Sequence, residues 1–174
     1  HLERSIDLSY TLFTKFQSLH RLERGWAGYL LLAVIFRNTG RAISPVDSPR
    51  HSYYIVKHAE LPIPEAWEAE FVGQLCLQHE QNKVNPKPET FLGTQPKSTQ
   101  QAFLKLLSLL RLVEALDTYP NRVDVQRVRI TQKEVHLTLS RKSATELALL
   151  RLQQKKGLFE KTFHRTLIAA ATKA

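Results

Sequence analysis

Tyr29-Leu-Leu-Leu-Ala-Val-Ile-Phe-Arg-Asn-Thr-Gly-Arg-Ala-Ile-Ser44 is the stretch on which the fold turns. Leu30 to Phe36 is a near-continuous apolar run that stops at Arg37-Asn38-Thr39-Gly40. A run that is apolar on all faces belongs to a helix buried on every side. Gly40 is expected to end that helix in the left-handed conformation that glycine adopts without strain. Arg37 and Asn38 then stand as polar residues at the inner end of a core helix. Buried polar groups need partners, so this is where a site would be built. The plainer alternative is that the two residues cap the helix beside a solvent-filled cleft.

On either side the spacing is mostly helical. Leu2, Ile6, Leu8, Leu12, Phe13, Phe16 and Leu19 recur at three and four residues, which predicts an amphipathic helix over 1–20. A polar link, 21–25, leads to the core helix Trp26–Gly40. Pro45 and Pro49 place a loop over 44–49, and His51–Leu61 reads as a short helix. Pro62 interrupts it, and Pro64 suits the first position of the next helix, which runs through Phe71 and Cys76 to His79. Residues 80–98 hold three prolines and read as the longest loop, the kind that is often functional. Thr99–Thr118 suits a second deeply buried helix. The texture then changes. Val123–Ile130 and Val135–Leu139 alternate apolar with polar residues and predict a hairpin turned at Thr131–Glu134, with Val135, Leu137 and Leu139 on one face. Residues 143–163 return to helical spacing, and Arg165–Ala169 reads as a third strand. The expectation is a mainly α chain: a helical domain over 1–120, then a small α+β appendage over 121–174.

A chain of 174 residues with 43% apolar residues is long enough for a real core. The Leu30–Phe36 run is far shorter than the ~20 residues a membrane-spanning helix needs. The single Cys76 excludes an internal disulfide framework. With no secretory signal, a reducing cytoplasmic setting is expected. No methionine occurs, even at position 1, which points to a piece of a longer protein. The formal net charge is +9, and residues 141–174 hold eight Lys and Arg against Glu146 and Glu160. That asymmetry fits a polyanion partner, with a solvated basic surface as the competing reading. There is no Gly-rich phosphate loop, Gly-x-Ser-x-Gly elbow or cysteine cluster. Cys76, between Leu75 and Leu77, reads as a small buried hydrophobe.

In this order the residues resemble the C-terminal helical region of the exopolyphosphatase/guanosine pentaphosphate phosphohydrolase (Ppx/GppA) family, a region like an HD domain. Ile35-Phe-Arg-Asn-Thr-Gly-Arg-Ala-Ile-Ser44 is similar to the family's Leu-Leu-His-Asp-Ile-Gly-Arg-Ala-Ile-Ser segment. His51-Ser-Tyr-Tyr-Ile-Val56, Glu60-Leu-Pro62, Leu77-Gln-His79, Leu110-Arg-Leu-Val-Glu-Ala-Leu-Asp117 and Gly157-Leu-Phe-Glu-Lys-Thr-Phe163 follow in the family's order. The resemblance implies an HD-like helical bundle and a parent enzyme that removes terminal phosphate from polyphosphate or guanosine pentaphosphate. Hydrolysis is implied to lie in an actin-like pair of domains upstream, served by a divalent cation such as Mg. This region would then help to bind the anionic chain and contribute to a homodimer.

An HD site holds its cation with a first His, an adjacent His-Asp pair and a distant Asp. By the resemblance these fall at His1, Arg37, Asn38 and Asp117. Arginine has no lone pair for a metal and asparagine offers only a neutral oxygen, so the metal site is expected to be dead and the fragment itself without catalytic residues or cofactor. His51 and His79 remain as possible ligands. The expected polyanion contacts are Arg37, Arg41, Arg50 and His51, the loop lysines Lys83, Lys87 and Lys97, and Lys155 and Lys156 of the basic tail. The alternatives are an independent HD metal-dependent phosphohydrolase and a basic nucleic-acid-binding module.

Arg37 is further expected to pair with Asp117 in place of the metal. Breaking a required buried pair costs about 3–5 kcal/mol. Arg37→Met should therefore lower the melting midpoint; an unchanged or raised one excludes a required pair.

Overall fold

The computed structural model describes residues 2–63, 65–81, 90–118, 123–140 and 145–172. It is mainly helical, with a small three-stranded sheet at the C-terminal end. Helices α1 (Leu2–Lys15) and α2 (Gln17–His20) are followed by α3 (Trp26–Phe36) and a 3-10 turn, Thr39–Ala42. Then come α4 (Ser48–His58), α5 (Ala66–Gln78), α6 (Phe91–Thr94) and α7 (Lys97–Leu116). Strands β1 (Val125–Ile130) and β2 (Glu134–Leu139), helices α8 (Thr145–Lys155) and α9 (Gly157–Phe163), and strand β3 (Thr166–Ala171) complete the order. Two compact units divide the chain: residues 1–22 with 111–174, and residues 23–110.

Within the unit 23–110, α5 packs on α3 and α4. Its aromatic core sets Phe71 against Trp26, Tyr29 and Phe103, with centroids 5.3–5.5 Å apart in tilted and edge-on pairs that suit the ring quadrupoles. The α4–α5 contact also has a polar lock. Glu70, with a side chain 13% exposed, takes hydrogen bonds from Tyr53 at 2.9 and 3.0 Å and from Gln74 at 2.8 Å, and forms an ion pair with Lys57. Burial raises the Glu70 pKa, but the hydrogen bonds from Lys57, Gln74 and Tyr53 outweigh it and hold the carboxyl below its ordinary value. Helix α5 opens with a capping box between Glu65 and Glu68.

Two expectations about the opening stretch are corrected. Helix α3 is not buried on every side: Leu30, Ala33 and Val34 are buried, but Leu31 is 36% exposed and Leu32, Ile35 and Phe36 are half-buried. The deeply buried segment is Leu106–Val113 of α7. Nor does Gly40 adopt a positive φ; it lies in the 3-10 turn. Its missing side chain serves a close approach. A Cβ there would stand 2.1 Å from the Ser48 carbonyl oxygen and 2.5 Å from the Ser52 backbone nitrogen. The first turn of α4 thus presses on the end of α3. Helix α4 begins at Ser48, earlier than the expected His51, because Pro49 is tolerated in a first turn, where no intrahelical N–H bond is lost.

In the unit formed by 1–22 and 111–174, Phe16 meets Phe159 at 5.3 Å, and Phe159 meets Phe163 at 4.7 Å. His20 closes the α1–α2 end, its ring bonded to the Phe13 carbonyl at 2.8 Å and accepting from the Leu22 N–H at 3.0 Å. The sheet order is β1-β2-β3, with β1 antiparallel and β3 parallel to β2. Val135, Leu137 and Leu139 share the buried face, as the alternation predicts, and the third strand forms. The helix expected over 143–163 is two helices, interrupted at Lys156. Pro64 and most of the expected 80–98 loop lie outside the described residues; its described end holds α6 and the start of α7.

Gly40→Ala should cost about 1–3 kcal/mol through overpacking, read as a lower melting midpoint; no change would mean that the turn is free to move. Glu70→Gln should cost about 1 kcal/mol at neutral pH. Because the folded carboxyl has a lowered pKa, its contribution is present above the unfolded value and is lost as pH falls through the folded one. The gap between variant and parent melting midpoints should therefore close in acid.

Candidate functional site

The end of α3 is built from backbone and side chain together. The last carbonyls of a helix lack intrahelical partners. Here Ser52 Oγ donates to the Arg37 carbonyl at 2.9 Å and accepts the Gly40 N–H at 2.9 Å, joining α4 to the 3-10 turn by one buried hydroxyl. Ser52 is wholly buried. The turn then sends its residues in different directions. Arg37 faces inward at 2% exposure, with Nη1 donating to the Val34 carbonyl at 2.6 Å. Arg41 points out, with its side chain 62% exposed and its guanidinium 3.9 Å from Glu80. Arg50 is 75% exposed and 3.0 Å from Asp47. His51 is half-buried against Gly40.

The expected polyanion residues are thus unlike one another. Arg41 and Arg50 are presented to solvent beside the α3–α4 corner, whereas Arg37 is withdrawn into the core. Lys97 is exposed at the start of α7, with a 3.4 Å bond to Gln100. Lys155 and Lys156 belong to the other unit and have acceptors of their own. Lys155 lies 3.8 Å from Glu114. Lys156 donates to the Leu167 carbonyl at 3.1 Å and pairs with Glu160 at 3.0 Å, so it pins β3 to the helices. His1, Lys83 and Lys87 lie outside the described residues.

The residues at the HD positions do not fit a metal. Arg37 is a buried cation that offers only N–H donors. Asn38 caps the 3-10 turn through its backbone and offers at most a neutral oxygen. Asp117, in the other unit, accepts a 2.5 Å hydrogen bond from Ser5. It lines a cavity of about 190 Å³ together with Arg4, Asp7, Thr11, Thr118 and Asp124. Three carboxylates against one arginine make that cavity unsuited to phosphate. His79 is buried and donates from Nδ1 to the Cys76 carbonyl at 2.7 Å. Cys76 is fully buried and its thiol pKa is pushed up to about 12 by burial, which removes it as a nucleophile at neutral pH.

Charge is distributed unevenly between the units. Residues 1–22 and 111–174 hold sixteen Lys and Arg against eight Asp and Glu; residues 23–110 hold nine against eight. The basic character therefore belongs almost wholly to the unit that carries the sheet. Two of its cations, Arg127 and Arg129, are exposed on β1, outside the basic tail in which the sequence concentrates its charge. The alternation Val125-Gln-Arg-Val-Arg-Ile130 is the signal that marks them, since residues two apart on a strand share a face.

A family model described as Ppx/GppA phosphatase, domain III, matches residues 1–160. A search of the curated proteins found no match. Among the described residues no helix is long and apolar enough to cross a membrane.

Proposed function

We propose that this chain, which belongs to the Ppx/GppA phosphatase family as its domain III, is an accessory domain that binds linear polyphosphate and supports a homodimer. Hydrolysis of the terminal phosphate, from polyphosphate or guanosine pentaphosphate, falls on this reading to an actin-like region outside the chain. A divalent cation such as Mg serves that region, and the protein works in the cytoplasm. The observation that carries the binding role is the excess of eight positive charges in one compact unit. Such a surface attracts an acidic polymer at long range and holds it by phosphate contacts. The chemistry of the HD positions supports an accessory role over a metal-dependent one: Arg37 and Asn38 supply neither imidazole nor carboxylate.

The test is binding of long-chain polyphosphate to the 174-residue chain, titrated against salt with RNA as competitor. Binding that weakens steeply with salt and resists displacement by RNA is the expected result. No binding at low salt would remove the polyanion role and leave dimerisation. Displacement by RNA at equal phosphate concentration would favour a nucleic-acid-binding module.

A further inference from the structure

The outer face of the small sheet is open. Helices α8 and α9 pack against β3, and Val135, Leu137, Leu139 and Leu167 are buried on the inner face. The opposite face follows from the register. Arg129 pairs with His136, which is level with Ile168 on β3; Arg127 pairs with Thr138, which is level with Ala170. A register shift between Val125 and Arg127 leaves Gln126 as the extra residue of a bulge. It lets Val125 stay opposite Leu139 on the inner side while Arg127 and Arg129 both stand on the outer one.

We infer that this face, through Arg127 and Arg129, is a docking surface for a linear phosphate polymer that carries no bases. This rests on the polyphosphate-binding reading above and places the contact. Three observations support it. First, both arginines are exposed, and among the described residues neither side chain takes part in a hydrogen bond or ion pair, whereas Lys155, Lys156 and Arg165 of the same unit are engaged with carboxylates or backbone carbonyls. Second, two arginines two residues apart on one strand lie about 7 Å apart along it, so their planar forks can grip successive parts of an extended anion. The one carboxylate on the three strands, Glu134, sits at the Arg129 end of the face, where it is bonded at 2.8 Å to His136, the cross-strand partner of Arg129. Third, the neighbouring outer side chains Thr138, His136, Thr166, Ile168 and Ala170 include no Phe, Tyr or Trp. A surface that reads single-stranded nucleic acid usually stacks bases on several aromatic rings, and the one ring here, His136, is bonded to Glu134, so phosphate is the better match.

The experiment compares the 174-residue chain with Arg127→Gln/Arg129→Gln and Arg127→Lys/Arg129→Lys, using long-chain sodium polyphosphate across a salt series, with melting curves as the check on folding. The glutamine pair should weaken binding at least tenfold and reduce the log–log salt slope by about 1–2, as expected for two lost phosphate contacts. The lysine pair, which keeps charge but not the fork, should fall between. Parent binding with both affinity and slope unchanged in a folded glutamine pair overturns the sheet-face assignment while leaving the accessory-domain reading intact. Absence of parent binding overturns both. An RNA homopolymer that displaces polyphosphate from the parent, but not from the glutamine pair, overturns the base-free partner.

Discussion

The contact at Gly40 governs the geometry of residues 23–110. The Ser48 carbonyl and the Ser52 amide approach so closely that no side chain fits at position 40. Ser52 Oγ then satisfies the helix-end carbonyl of Arg37 and the N–H of Gly40 together. Close packing and hydrogen bonding depend on each other here, because a wider gap would leave both backbone groups buried without that partner. The same contact fixes where the turn points its cations. Arg37, on the α3 side, is drawn into the core; Arg41, just past Gly40, is sent to the surface.

That division matters for function. A guanidinium with 2% exposure that donates to a backbone carbonyl is structural before it is a ligand contact. At the positions where the resemblance implies an HD pair, Arg37 brings a fixed positive charge and Asn38 only a neutral oxygen, so that helix end repels a cation. On the proposed reading, recognition falls to the other unit, where positive charge is in excess. Within it, cations with intramolecular acceptors hold the fold: Lys156 ties β3 to the helices, and Arg165 donates to the carbonyls of Thr131 and Phe163 at 2.8 Å each. Arg127 and Arg129, with no such acceptor among the described residues, are available for a partner. Counting charges along the sequence does not distinguish these two kinds of lysine and arginine.

Much was legible in the sequence, for local reasons. The spacing of Phe103, Leu106, Leu110 and Val113 marked a second deeply buried helix, because a 3.6-residue period stacks those positions on one face. The alternation of Val135, Leu137 and Leu139 gave the inner face of β2 and the hairpin, because a strand has period two. Ordered short motifs around Ile35–Ser44 and Leu110–Asp117 pointed to the Ppx/GppA family, which the match over residues 1–160 shows. That Arg37 has no lone pair for a metal and Asn38 only a neutral oxygen also needed no coordinates, since donor atoms are a property of the residue type.

Tertiary structure decided what depends on distance between remote residues. Gly40 could equally have been a left-handed cap or a point of close approach; only the position of α4 distinguishes them. Helix α3 is apolar throughout, yet Leu31 remains 36% exposed, because burial depends on how many neighbours surround a helix and not on its composition. The first 22 residues group with residue 111 onward, a pairing that no local period encodes. The exposure of Arg127 and Arg129 depends on which face of the sheet the helices cover. Sequence determines the preferences of each segment, while packing selects which surfaces remain open, because burial is a property of the assembled neighbours.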